Sequence, residues 1–403
     1  MKHASAFAQI EARGPGYAAL VSILTVVLLA GLWAAHNMES QGHHITGMNN
    51  QVVWGIPHVF AVFLIVAASG ALNVASLSSV FGRTIYRPLA RLSALLAIAL
   101  LLGGLAVLVL DLGRPDRLIV AMTYYNLKSI FAWNIFLYTG FIVIAGVYVW
   151  FMMEQRFQPL SKPVGFLAFA WRLTLTSGTG SIFGFLVARQ AYDAAVMAPM
   201  FVAMSFAFGT AVFLITLLTV SCVTTRPVDK AVLDRQSRLL SIFVVAVLYF
   251  VVMFHVTNLY AAEHRDIVRF LLFDGDHPYA KLFWIGQIAL GSALPLALLW
   301  TPRLSRSSIV RFVAACLIVL GGLVQLYVII IGGQAHPLVL FPGYEVSSPF
   351  FDGEVGQYAG TVNEYLLGIG GVGLTVLVVA LSVRVLPIVP KKPPAAPTDH
   401  AVT

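Results

Sequence analysis

Charge is scarce in this sequence. Asp, Glu, Lys and Arg make up 10% of the 403 residues, where a soluble domain carries about 25%, so a water-soluble globule is excluded. Cysteine is almost absent: Cys222 and Cys316 are the only two, and both lie in apolar runs. That excludes a disulfide framework, Cys-ligated zinc and Cys-ligated iron–sulfur clusters. Any redox metal chemistry must come from partners or from histidine. No stretch outside the tails is polar enough for a second, soluble domain, so no soluble catalytic domain is expected. What is present is apolar: 59% hydrophobic residues and a mean hydropathy of +0.87. Five to ten spans of about 20 apolar residues would account for it.

Ten apolar segments fall at residues 16–35, 56–80, 89–111, 130–153, 164–187, 197–222, 238–262, 282–301, 309–332 and 362–386, and each predicts a membrane helix. The first follows Lys2 and Arg13 as a signal peptide would, but its run of about 20 apolar residues is longer than a signal core, so a retained helix is expected. The expected organisation is a tail over 1–15, a ten-helix transmembrane domain over 16–386, and a disordered Pro-rich tail over 387–403.

Orientation follows from Lys and Arg, which cytoplasmic loops retain. The N-terminus and every second loop hold 17 of the 25, including Arg83, Arg87, Arg91, Arg156, Lys162, Arg303 and Arg306; the other side holds 7, Arg172 being counted on neither. Both termini are therefore expected in the cytoplasm of a bacterial cell, in its inner membrane. The net charge of +8 then reads as topology, and a nucleic-acid partner is not expected. The connections near 36–55, 112–129, 263–281 and 333–361 are the long ones and fall outside, where partners have material to bind.

Polar side chains at membrane depth are costly, so they are the best clue to function. On a helical wheel His58, Ser69, Asn73 and Ser76 share one face of the second span. The third span ends in Asp111-Leu-Gly-Arg-Pro-Asp-Arg117, where an acid at membrane depth meets Arg114 and Arg117. Such a cluster can bind and deprotonate a polar headgroup, or form a structural salt-bridge turn. In the fifth span Arg172, Thr176 and Thr179 share a face, with Ser177 beside them; a buried Arg needs a carboxylate, carbonyls or water, or it snorkels to the interface. Glu154, at the cytoplasmic end of the fourth span, is an interfacial charge or a point of proton uptake. His255 and Asn258 lie one turn apart in the seventh span. By helix rise His255 is about 10 Å and His58 about 4 Å inside the exterior edge.

Four function classes stay open on these residues. A quinone site needs hydrogen-bond donors and proton-exchanging groups near the membrane surface, in a pocket with aromatic walls; His58, Asp111 and His255 meet those needs. A b-type haem would take His58 and His255 as axial ligands, though their depths differ. A secondary transporter would show matched broken helices, and Pro57–Ala71 does resemble Pro199–Ala211, suggesting parallel four-helix halves. A membrane scaffold would leave the costly His and Arg residues without a role.

The stretches Trp54-Gly-Ile-Pro-His-Val-Phe60, Ser69-Gly-Ala-Leu-Asn73 and above all Leu110-Asp-Leu-Gly-Arg-Pro-Asp116 resemble the NrfD/PsrC family of quinone-interacting membrane subunits. Ten spans, the run Thr123–Asn134 and Phe350-Phe-Asp-Gly353 are most similar to its DsrP-type members, which serve sulfur metabolism. The resemblance, covering about 50 to 385, implies an all-α integral membrane protein of two four-helix bundles, spans two to five and six to nine, with the first and last helices peripheral. It implies menaquinone or ubiquinone as exchangeable cofactor and no haem, flavin or iron–sulfur cluster in this chain, which alone would complete no reaction. An iron–sulfur, ferredoxin-like subunit on the exterior face is the implied electron partner, with cytochrome and further membrane subunits beside it. Carried over, His58 would hydrogen-bond a quinone carbonyl, and Asp111 with Arg114 would shape the site and its proton exchange. Asn73 joins them as a matching polar position, and His255 by depth alone. A proton path would run through Arg172, Thr176, Ser177, Thr179 and Glu154.

Overall fold

The computed structural model describes residues 7–10, 14–224, 228–338, 341, 344, 348 and 353–390. Its long helical segments, labelled here in chain order, are α1 (Pro15–Gln41), α2 (Ile56–Ser79), α3 (Thr84–Leu110), α4 (Ile130–Met153), α5 (Ser161–Gly184), α6 (Met197–Thr224), α7 (Lys230–Tyr260), α8 (Pro278–Trp300), α9 (Ser308–Ala335) and α10 (Val362–Val385). Among the described residues nine of these are long and apolar enough to cross a membrane. The tenth, α5, matches them in length but carries Arg172 and a run of Thr, Ser and Gly; it sits against α2, α4 and α6 instead of facing lipid with that run. The protein is an all-α, multi-pass integral membrane protein.

The helices α2 to α5 close one four-helix bundle and α6 to α9 a second. They meet along α2 and α6, the two segments whose sequences resemble each other. Gly70 and Gly209 make that contact: a Cβ on either would run into the opposing backbone, at Ser205 or at Gly70 itself. Lipid tails are as apolar as Leu, so close backbone approach through small residues drives such packing. The last helix, α10, lies against α2 and α3, and α1 packs chiefly on α10. Of the two terminal helices only α1 is peripheral in the full sense.

Two helix details bear on the site. The backbone ladder of α2 breaks at Leu72, and Ser93 of α3 fills the gap: its hydroxyl donates to Ala71 O at 2.6 Å and accepts from Ala75 N at 3.0 Å. A side chain inserted into the ladder is a recognised cause of a helix break. In turn, α7 begins eight residues before its apolar run, because Asp229 caps it through Ala231 N at 2.8 Å and Arg311 pairs with Asp234. Polar residues in that first stretch hide the helix from hydropathy.

The two ends of the molecule differ. One gathers the loops before α2, after α3, before α6 and before α10. The other carries a two-residue ribbon in which Phe7–Ala8 (β1) pairs antiparallel with Val389–Pro390 (β2). The tail expected to be disordered from residue 387 is thus ordered as far as 390: Ile388 is fully buried and Pro387 O accepts from Arg91. The remainder of that tail, and residues 350–352 of the Phe350–Gly353 motif, lie outside the described residues.

Candidate functional site

Pro57 occupies the first turn of α2, where its fixed φ suits a helix start and where His58 follows at once. Asp111 caps the C-terminus of α3. A carboxylate at that negative end of a helix is unfavourable unless donors face it, and two imidazoles do. His58 Nδ1 lies 2.8 Å from Asp111 Oδ2 and His43 Nε2 lies 3.9 Å from Oδ1. The carboxylate is 1% exposed, the His58 ring 18% and the His43 ring 30%. The pairs stand at ion-pair distance without the alignment of a full hydrogen bond, and no other group among the described residues bonds to either carboxylate oxygen. Among the described residues this is a buried acid whose nearest titratable neighbours are two partly exposed histidines.

Aromatic rings wall the His58 side. Trp54 stacks on the imidazole, centroids 5.9 Å apart and planes 23° apart. Trp54 in turn meets Phe131, Phe183 and Tyr192 at 5.7 to 6.4 Å. An aromatic wall beside a titratable ring suits a planar headgroup.

Long-range hydrogen bonds hold the loop that carries Trp54 and His58. Gln334, at the end of α9, accepts from Val53 N and Trp54 N and donates to Trp54 O, all at 3.0 Å. Arg189 donates to Gln334 O at 3.0 Å and to Gln51 O at 2.9 Å; burial lowers its pKa from the ordinary guanidinium value. On the far side Tyr358 accepts from Ile56 N at 2.7 Å and donates to Glu364 at 2.6 Å. Burial first, then that bond, pushes the Tyr358 phenol above its ordinary pKa, which keeps it a donor. Glu364 is fully buried at the start of α10 and also accepts from Gly47 N and Thr361 N. It is therefore an anchor of the loop.

The other predicted residues fall elsewhere. Arg114 does not reach Asp111: Gly113, at φ +69°, turns the chain away, and Arg114 pairs on the surface with Asp116 at 3.1 Å. That bond raises the Arg114 pKa and holds the Asp116 carboxyl below the usual range. Asn73 lies about 22 Å along α2 from His58 by helix rise, buried, with its amide nitrogen unpartnered. Arg172 neither snorkels nor meets a carboxylate. It is fully buried, donates to Ser69 O at 3.1 Å, and faces the Phe169 and Phe206 rings at 5.0 and 4.7 Å. Its Nε and Nη2 have no partner among the described residues. Thr176 Oγ1 stands 2.5 Å from Ser69 Oγ, and Thr179 Oγ1 3.5 Å from the Tyr138 hydroxyl. Ser177 is half-buried in the same helix, while Glu154 is exposed at the end of α4 and takes its bond from Arg156 N. His255 lines a small cavity of about 20 Å³ inside the second bundle with Met200, Phe283, Gln287 and Gln325. Neither His58 nor its neighbours Trp54 and Asp111 line it, so the two rings stand in separate surroundings.

Against known proteins, the family model described as polysulphide reductase, NrfD, matches residues 44–337, which include His58, Asp111 and Gln334. The chain belongs to the NrfD family. It is 27% identical over 389 residues to the "Hdr-like menaquinol oxidoreductase integral membrane subunit" of Archaeoglobus fulgidus, covering 96% of this chain and 97% of that one. It is 26% identical to a Halobacterium salinarum protein named as a membrane subunit of a dimethyl sulfoxide reductase, over 93% of this chain and 92% of that one. It is 21% identical to a selenate reductase subunit of Mesobacillus selenatarsenatis, over 92% and 94%.

Several residues around His58 and Asp111 escape sequence reasoning. His43, Arg189, Tyr192, Gln334 and Tyr358 lie in loops or at helix ends, where no periodicity marks them. The one available signal was Arg189, a base on the side of the membrane that holds few.

Proposed function

We propose that the chain is a quinone-interacting membrane subunit of an oxidoreductase complex, and that the quinone headgroup binds beside His58. The observation that carries this reading is the buried Asp111 carboxylate facing His58 Nδ1 at 2.8 Å beneath a wall of aromatic rings. Support comes also from the menaquinol named for the Archaeoglobus fulgidus relative.

A quinol, when bound, supplies two electrons and two protons. His58 Nε2, which has no partner among the described residues, hydrogen-bonds the headgroup oxygen. Asp111 fixes the ring through Nδ1 and takes, one after the other, the two protons that His58 relays, and His43 passes each outward before the next arrives. The electrons leave to an iron–sulfur partner docked on the loops of the His58 end. By the distribution of Lys and Arg that end faces the exterior of the bacterial inner membrane and both termini are cytoplasmic. Menaquinone and ubiquinone fit this chemistry equally, and the DsrP-type likeness favours a sulfur-metabolism complex. Proton translocation, if coupled, uses the first bundle, where Thr179, Thr176, Ser69 and Arg172 form the polar column through the apolar helices.

Binding of a quinone-headgroup inhibitor to the purified chain, followed by tryptophan fluorescence, tests the reading, because Trp54 lies against His58. Saturable quenching that weakens at least tenfold, about 1.4 kcal/mol, in His58→Ala is expected. Trp54→Phe should remove most of the signal. Saturable binding indifferent to His58 would place the headgroup elsewhere.

A further inference from the structure

At the end of the first bundle opposite His58, a cavity of about 370 Å³ opens where α2 ends, α3 begins, α4 ends and α5 begins. Its walls carry one sign of charge. Among the described residues Arg87, Arg91 and Lys162 line it, and no Asp or Glu does. We propose that it binds the phosphodiester headgroup of an anionic membrane lipid. This rests on the membrane architecture and is independent of the quinone reading.

The three cations play different parts. Arg91 is nearly buried: its guanidinium donates to Pro387 O at 2.9 Å and Met152 O at 2.5 Å and stacks on the Phe7 ring at 3.8 Å. All its described partners are neutral, so it keeps a full positive charge fixed in the wall. A fixed charge in a region of low dielectric favours an anion beside it. Arg87 and Lys162 are exposed and have no ion pair among the described residues, so both are free to close on a ligand.

Neutral groups complete the match. Ser78 and Thr84 line the cavity with hydroxyls that no described residue uses, and α5 begins at Ser161 on its wall, directing the positive end of a long helix toward it. Basic pockets of this kind between membrane helices recognise lipid phosphates. Beside it the outward faces of α4 and α5 are apolar, with Trp150 and Phe166 55% and 60% exposed. Acyl chains attached to a phosphate in the cavity would lie along these faces. A free phosphate satisfies the charges but not this apolar flank.

The test uses the full chain delipidated in detergent and then titrated with lipid, with the thermal midpoint as readout. Phosphatidylglycerol should raise the midpoint saturably, while phosphatidylcholine and inorganic phosphate should not. In the double variant Arg87→Gln, Lys162→Gln, the half-saturating phosphatidylglycerol should rise at least tenfold, with the midpoint in phosphatidylcholine unchanged. Native mass spectrometry should find a tightly held phosphatidylglycerol in the wild type and lose it in the double variant. Equal shifts from both lipids, or a shift that survives the double variant, overturns the proposal. An equal shift from inorganic phosphate overturns its assignment to a lipid.

Discussion

Each four-helix bundle holds one histidine within its helices, and the surroundings of the two rings differ in everything that governs proton exchange. His58 has a buried carboxylate at 2.8 Å, a second histidine beyond it, a stacked indole, and part of its own edge exposed. His255 has phenyl rings at 5.0 and 5.1 Å, an Nδ1 without a partner among the described residues, and two amides across a cavity with room for about one water. An acid–base pair can accept and release a proton by local transfer. A lone imidazole among phenyl rings can do so only by becoming an unpaired buried charge, which costs several kcal/mol. A histidine in each bundle therefore does not imply the same chemistry in each; the second bundle holds an imidazole without the acid.

The contrast can be broken at its strongest point first. Asp111→Asn keeps the shape but removes the proton acceptor, and should lower quinol turnover by the assembled complex about 100-fold with assembly retained. Full turnover would remove the pair from the chemistry. Next in size, Gln334→Ala leaves Val53 N, Trp54 N and Trp54 O without their partner, each worth about 1 kcal/mol. Inhibitor affinity should fall about tenfold although Gln334 belongs to the second bundle, and unchanged binding would show that the loop is held without it. Arg172→Leu should reduce the pH gradient formed per electron severalfold more than electron transfer itself. Equal losses would make Arg172 a structural residue. The smallest effects are expected from His255→Ala and Arg114→Gln, which should leave inhibitor affinity unchanged, the first with a lowered thermal midpoint from the cavity it creates. A loss in His255→Ala as large as that in His58→Ala would erase the distinction between the bundles.

How much of this was legible from the sequence depends on range. Helices were, because 20 apolar residues in a row have few alternatives in a membrane. The costly groups Asp111, His58 and Arg172 were legible singly for the same reason. Their partners were less so. Arg114 is close to Asp111 in sequence, yet Gly113 turns it to the surface, while His43, far upstream, arrives instead. Asn73 shares a wheel face with His58, but a wheel discards distance along the axis. The clamp from Gln334 and Tyr358 spans about three-quarters of the chain and leaves no local pattern.

That clamp also sets an order of events during synthesis. When Trp54 and His58 leave the ribosome, the amide that holds their loop lies 280 residues in the future, roughly 14 to 56 s away at about 5–20 residues per second. The first bundle can be inserted in the membrane with its histidine and carboxylate present while its loop is still untied. Only a chain finished through α9 and α10 closes it, so a truncated or stalled product would hold the reactive residues without the geometry to use them.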